Sequence, residues 1–242
     1  MLNQIKNFIR PIEHSRQFKL ESSGRHSERA PYPKSLTIRK RSVLALIFKR
    51  TLDLALVIPA IIVLSPLFLA IAAIIKWESK GPVFFKQERV GIGGKIFTMY
   101  KFRSMVVNAE DLLDSLQDAN EKSGPIFKMK RDPRITKSGA FLRKHSLDEL
   151  PQLLNVLKND MSLVGPRPPL IKETLQYEDS DYQRLCVLPG LTCIWQISGR
   201  SDLSFQQWME LDRNYINNWS VLLDIKIIAA TIREVVFPKG SY

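Results

Sequence analysis

Residues 54–75 read LALVIPAIIVLSPLFLAIAAII, 22 consecutive residues without a charge. As a straight helix the run is about 33 Å long, the thickness of a bilayer core. A single transmembrane span is the first reading, and two features oppose it. Ser65-Pro66 sits in the middle of the run. Pro66 has no N–H for the carbonyl of Ile62 and its ring crowds that carbonyl, so a kink is expected. Ser65 can bond a nearby carbonyl and help satisfy the broken turn. Each half is then roughly 15–18 Å, too short to span alone. Pro59 is a second candidate for the kink. The flanks are also basic on both sides, with Arg39, Lys40, Arg41, Lys49 and Arg50 before the run and Lys76, Lys80 and Lys86 after it. Positive charge at both ends places both ends on the cytoplasmic side. The reading predicts a re-entrant helical hairpin over residues 42–80 that enters and leaves one leaflet.

Upstream, residues 1–41 carry ten Lys or Arg and three Glu, which is +7 of the chain's net +12. They hold no long apolar stretch and read as a basic cytoplasmic tail, suited to anionic headgroups or simply solvated. A charge of +12 points to an anionic partner. A nucleic-acid binder would need a basic face interleaved with aromatics or a known reader motif, and neither is present. Cys186 and Cys193, seven apart, make neither a disulfide framework nor a zinc site.

Downstream, residues 81–242 contain no second run of that length and read as a soluble-type α+β domain, mainly helical with a small sheet. Residues 95–103 (KIFTMYKFR) alternate as a strand does. A helix is expected over 104–119 with Asn108 near its start, a loop over 120–138, and a helix over 146–159. The VGPRPP stretch at 164–169 is too rich in Gly and Pro for regular structure. Two more helices are expected over 204–219 and 221–236.

The densest chemical signal is RKHSLDELPQLLNVLKNDMSLVGPRP, residues 143–168. Ser146 followed by Glu149 is a capping box ahead of an apolar helix, and acidic residues at a helix start are favoured by the macrodipole. The surroundings suggest more. Arg143, Arg167 and Arg200 lie in or near segments crowded with Gly and Pro, where an arginine is held in place. Arginine grips phosphate with two parallel hydrogen bonds. A carboxylate attacking a diphosphate needs such groups, and a metal, to neutralise the oxygens.

The segment from Leu46 to Met105, LIFKRTLDLALVIPAIIVLSPLFLAIAAIIKWESKGPVFFKQERVGIGGKIFTMYKFRSM, resembles the N-terminal part of the bacterial sugar transferase family, the monotopic phosphoglycosyl transferases. HSLDELPQLLNVLKNDMSLVGPRPP is similar to that family's central motif, and LPGLTCIWQISGR and LDRNYINNWSVLLDIKII are similar to its C-terminal motifs. The resemblance runs from about residue 42 to 236 in the family's order and spacing. At position 193 the family usually has a small residue such as Gly, and Cys193 is small enough to fit.

The resemblance implies a bacterial inner-membrane enzyme of minimal architecture, with its catalytic domain on the cytoplasmic face. Asp148 would be the nucleophile on the β-phosphate of a UDP-sugar. UMP would leave, and undecaprenyl phosphate would take the phosphosugar from Asp148. Glu149 would be the partner carboxylate, assisting deprotonation of the acceptor. Mg²⁺ is implied as cofactor with Asp148 as its likeliest protein ligand. Arg143, Arg167 and Arg200 are implied in phosphate or nucleotide binding. Lys101 and Arg103 in YKFRSM are weaker candidates, equally readable as the exposed end of a strand. The break at Ser65-Pro66 matches the family's re-entrant helix. UDP-glucose or UDP-galactose is the favoured donor, with UDP-linked N-acetylated or diamino sugars as the alternative. A homodimer is among the states the resemblance allows, and a non-catalytic membrane adaptor is the reading of a different class. Asp224, Trp195, Trp208, Tyr215 and Trp219 fit either a membrane interface or core packing.

Overall fold

The computed structural model describes residues 41–113, 115–116, 129, 132–198 and 203–236. Residues 1–40 of the basic tail, most of the loop expected over 120–138, and Arg200 lie outside the described residues.

Helix α1 runs from Val43 to Glu78, about 54 Å at the rise of an α-helix. Its apolar window has a mean hydropathy of 2.8, long and apolar enough to cross a membrane by length and composition. The expected break at Ser65-Pro66 does not divide it, because helical backbone continues through both Pro59 and Pro66. The Ser65 hydroxyl donates to the Ile62 carbonyl at 2.8 Å. That is the carbonyl Pro66 leaves without its N–H, so the side chain restores the missing bond where it is lost.

One face of α1 lies along the rest of the molecule from end to end. Lys49, Asp53, Val57, Ile71 and Ile75 are buried, at the spacings that keep residues on one side of a helix. The opposite face leaves Leu44, Phe48, Ile62, Val63, Leu69, Ile74 and Trp77 exposed.

After α1 come β1 (Phe84–Val90) and β2 (Ile96–Phe102). They pair antiparallel in a register that sets Phe84 opposite Phe102 and Val90 opposite Ile96. The 95–103 strand is therefore present, and its partner β1 is an element the alternation did not reveal. Helix α2 spans Lys137–Lys144. A 3-10 turn over Leu147–Gln152 leads into α3 (Leu153–Leu157). Strand β3 (Ser162–Val164) pairs in parallel with β4 (Gly190–Thr192), so the small sheet is two separate two-stranded ribbons. Short helices α4 (Ile171–Thr174) and α5 (Ile194–Ile197) flank them. Helices α6 (Phe205–Asn218) and α7 (Val221–Val236) close the fold.

Among the described residues of 104–119, where a helix is expected, no α-helix is formed. Met105 bridges Ile135, and Val106 N–H donates to Arg134 O, so the chain there is extended. Residues 107–113 follow as turns. The two C-terminal helices match expectation to within a residue. Ser204 caps α6 by accepting from Gln207 N–H while Gln207 reaches back to Ser204 N–H, a reciprocal cap.

The core is built where α1 meets the domain. Val57 packs with Phe97, Met99, Leu153, Val156 and Met161. Ile71 and Ile75 pack with Phe102 and Leu142. Each such side chain contributes about 1.5–3 kcal/mol on burial, so both halves of α1 are fastened to one body. Polar anchors add to this at each end. Lys49 reaches Asp224 at 2.6 Å and Val164 O at 2.9 Å. Asp53 accepts from the Ser162 hydroxyl and Leu163 N–H. At the far end, Glu78 accepts from Lys137 N–H and Ser138 N–H at the start of α2, where a carboxylate is favoured.

Asp224 is thus buried on Lys49, with Tyr215 and Trp219 also donating to it. Trp195 and Trp208 stack on each other with centroids 4.3 Å apart. Tyr215 is buried, and Trp195, Trp208 and Trp219 are partly buried.

Candidate active site

The acidic pair sits at the junction of α2 and the 3-10 turn. Helix α2 ends when Ser146 takes a left-handed conformation, φ 55°, and donates its N–H to Arg143 O. The Ser146 side chain makes no cap hydrogen bond. The capping-box reading of Ser146 and Glu149 is therefore overturned. Pro151 keeps the following turn tight, and Asp148 and Glu149 are left for another task.

Strand β2 supplies the first partner. Phe97 and Met99 are buried against Leu153 and Val156, and Lys101 is two residues further along the same face. Its ammonium lies 2.6 Å from Glu149 Oε1, with both side chains about a quarter exposed. Asn155 holds this arrangement in register. Fully buried, it accepts from Tyr100 N–H and donates to Thr98 O, completing the free edge of β2 as a neighbouring strand would.

The two carboxylates are electrostatically unlike. Burial raises the Asp148 carboxyl, and the like charge of Glu149 adds to it, against the pull of Lys101 and Arg143. Glu149 also meets a burial penalty. Lys101, then Arg167 and Arg89, outweigh it and hold Glu149 below its usual range. A pair split in this way gives two acids different duties.

Arg143 is exposed on the last turn of α2 and acts on Asp148. Arg167 is partly buried, with its guanidinium 6.0 Å from the Trp208 ring centre, and acts on Glu149. Lys101, Arg143 and Arg167 thus gather around the pair. Arg103 does not join them. Its guanidinium donates to Ser79 O, Ser79 Oγ and Lys80 O, closing the C-terminal end of α1. It is a helix-capping residue in this structure.

Arg89 was not singled out by the sequence. It is buried on β1, and burial and the nearby Arg167 lower it to about 9, so it keeps its proton at neutral pH. Asn155, Arg184 and Asp212 were missed too. Each acts across a long stretch of chain, so no local pattern marks them.

Among the described residues no three His, Cys, Asp or Glu side chains cluster as a metal cage. The acidic pair fits instead the mode usual for Mg²⁺, one or two carboxylates with the remaining positions taken by water and substrate phosphates.

The family model described as bacterial sugar transferase matches residues 44–238. This chain belongs to that family. It is 46% identical over 197 residues to the galactosyl transferase CpsE of Streptococcus agalactiae, covering 81% of this chain and 44% of that protein. It is 42% identical over 200 residues to the exopolysaccharide production protein ExoY of Sinorhizobium fredii, covering 81% of this chain and 88% of that protein. It is 44% identical over 200 residues to the undecaprenyl-phosphate galactose phosphotransferase of Salmonella typhimurium, covering 80% of this chain and 41% of that protein. The chain thus spans less than half the length of two of these relatives and most of the third.

Proposed function

We propose that this protein transfers a sugar phosphate from a UDP-sugar to undecaprenyl phosphate, releasing UMP. The observation that carries the reading is the Asp148-Glu149 pair. It is released from helix capping by the left-handed Ser146, split in acidity, and ringed by Lys101, Arg143 and Arg167.

In the first step an Asp148 oxygen attacks the β-phosphorus of the donor. The bond from that phosphorus to the bridging oxygen breaks, and UMP departs with the electron pair. The sugar phosphate is left on Asp148 as an acyl phosphate, a recognised kind of covalent intermediate. In the second step an oxygen of the lipid phosphate attacks the same phosphorus, and the bond to Asp148 breaks. The burial that raises Asp148 leaves its anion poorly solvated and so ready to form that bond. A phosphate monoester has a second pKa of about 6, so most of the acceptor is already dianionic at neutral pH. Glu149, ionised, keeps Lys101 in place. It would assist deprotonation only of the minor monoanionic fraction of the acceptor, giving up that ion pair while it holds the proton. Arg143 and Arg167, joined by Arg200, bind the diphosphate oxygens. Asp148 is the residue that would hold Mg²⁺, which when bound would supply positive charge to offset that on the diphosphate oxygens.

The donor we favour is UDP-galactose or UDP-glucose. The names of the Streptococcus and Salmonella relatives specify galactose. UDP-linked N-acetylated or diamino sugars are the alternative. The product would begin an exopolysaccharide or O-antigen type glycan, as the name of the Sinorhizobium relative suggests.

The membrane placement we infer is one leaflet of the inner membrane, with the domain on the cytoplasmic face. Support comes from Val57, Ile61, Leu64, Phe68 and Ile71, which pack on the domain within the apolar run itself. The domain lies beside the run, where a perpendicular span would leave it beyond one end. This sets Asp148 near headgroup height, within reach of a soluble donor and a lipid acceptor.

The test is UMP release by the protein in nanodiscs, with Mg²⁺, undecaprenyl phosphate and a panel of UDP-sugars. Release from one donor, lost in Asp148→Asn, is the expected result. Full activity in Asp148→Asn would sink the covalent mechanism, and no release from any donor would sink the reading as a whole.

A further inference from the structure

The loop that carries Arg167 is held almost entirely from outside. Pro166, Pro168 and Pro169 have no N–H, so the loop has few donors with which to fold on itself. Its carbonyls are instead received one after another. Pro166 O accepts from Gly190 N–H at 2.9 Å. Arg167 O accepts from Arg184 Nη2 at 3.1 Å. Pro168 O accepts from Arg89 Nη1 at 3.0 Å. Pro169 O accepts from Val90 N–H at 3.0 Å. Four consecutive backbone oxygens are each fixed by a different donor, and two of those donors are buried guanidinium groups.

Those two arginines are themselves locked. Arg184 pairs with Asp212 of α6 at 2.8 Å, the side chains 5% and 1% exposed. Its Nη1 donates to the Tyr177 hydroxyl. Arg89 donates to Gln87 Oε1 through Nε and Nη2. Burying a guanidinium is costly unless its hydrogen bonds are met. Here the hydrogen bonds of the two Nη atoms of Arg184 and of the Arg89 guanidinium, with the Arg184–Asp212 ion pair, also determine where the loop stands. A lysine in either place would carry the charge without the planar fork that reaches two partners at once.

We propose that Arg184, held by Asp212, and Arg89 are positioning residues for Arg167. They set where its guanidinium stands through the loop backbone and do not touch the donor themselves. The inference rests on the diphosphate-binding role proposed for Arg167 and adds the parts that make that role sharp. Arg167 is braced from its backbone side by these two groups, and from its side-chain side by Trp208 stacked on Trp195.

The experiment is a double-mutant cycle on the full chain in nanodiscs. The wild type, Arg167→Ala, Arg184→Lys and the double variant are compared. Two readouts are taken: UDP binding by titration calorimetry, and the KM and kcat of UMP release with UDP-galactose and UDP-glucose. Arg184→Lys is expected to weaken UDP binding and raise KM about tenfold with kcat changed less than about threefold, the pattern of lost binding. In the Arg167→Ala background the same change is expected to do nothing further, because no guanidinium remains to be positioned. Arg89→Lys runs through the same cycle as a second arm, and serves alone if Arg184→Lys does not fold. Effects that multiply in the double variants overturn the inference while leaving the donor reading intact. A wild type that releases UMP while Arg167→Ala binds UDP normally overturns it as well. A wild type that neither binds UDP nor releases UMP removes the donor reading and the inference together.

Discussion

Lys101 Nζ and Glu149 Oε1 lie 2.6 Å apart because Phe97, Met99 and Lys101 share one face of β2. The two hydrophobic residues fix the strand on α3, and the lysine at the end of the same stripe arrives at the acidic pair. With both partners about a quarter exposed, the ion pair adds at most about 1 kcal/mol to stability. Lys101→Met is therefore expected to melt within a few degrees of wild type while UMP release falls by about tenfold or more. A parallel loss of melting temperature and activity would make the contact structural.

Lys49 and Asp224 form the opposite kind of pair, 7% and 2% exposed and 2.6 Å apart. Removing one partner leaves an uncompensated buried charge, at a cost of about 3–5 kcal/mol. Asp224→Leu should lower the melting temperature sharply. The double variant Lys49→Met/Asp224→Leu should recover most of the loss, as thermal unfolding in detergent will show.

Asn155 satisfies a donor and an acceptor on the edge of β2. Asn155→Ala exposes neither to water and should cost about 2–4 kcal/mol, the desolvation of two unmet groups. Asn155→Asp can replace the acceptor but not the donor to Thr98 O, so it is expected to be destabilised as well.

Acid sensitivity should have one identifiable source in Asp132. Its hydrogen bonds from Arg134 hold the carboxyl below the usual range despite burial. A depressed folded value means the contribution is complete above the ordinary carboxylate pKa of about 3.9 and is lost as pH falls through the folded value. The gap in melting temperature between wild type and Asp132→Asn should be constant above about pH 5 and close below about pH 4. A gap that is unchanged down to pH 3 would contradict the assignment.

The one-leaflet placement has a direct check. In a cysteine-free background, Ser42→Cys and Ser79→Cys flank α1 and should both react with a membrane-impermeant maleimide from the cytoplasmic side only. Labelling of the two from opposite sides would establish a span.

Much of this molecule could be read from its residues, and the exceptions have physical causes. Helices α6 and α7 were legible because apolar spacing on one side of a helix is a local signal. The strand at 96–102 was legible by alternation, whereas β1, with Phe84 and Phe85 both more than a third exposed, shows no such contrast. The 104–119 segment has helical composition, but the ladder contacts of Ser104, Met105 and Val106 with residues 134–136 pull its start into extended backbone. Ser146 looked like a cap because its spacing to Glu149 is right, and only its left-handed backbone shows otherwise. The acidic pair, Arg143, Arg167 and Lys101 could be nominated as candidates from sequence, their roles being those proposed above. Arg89, Asn155 and Arg184 could not, since their partners are set by tertiary contact alone. Arg103, readable from sequence as a substrate-binding candidate or an exposed strand end, is buried under the end of α1, and a strand-end arginine gives no hint that a helix terminus lies over it.

The order of synthesis gives the buried ammonium of α1 a history. Lys49 leaves the ribosome 115 residues ahead of Val164 and 175 ahead of Asp224, intervals of about 6–23 s and about 9–35 s at 5–20 residues per second. Until Asp224 follows, its charge lacks its carboxylate partner and, on the placement proposed above, can be met by water or by lipid phosphates within reach of a long lysine side chain. On the one-leaflet placement proposed above, the chain would meet the lipid before its fold is complete. The latch closes last, from the C-terminal end, onto a helix already in place. A chain stopped just short of Asp224 would be membrane-attached but unlatched, which makes the final two helices the step at which an inserted polypeptide becomes a folded one.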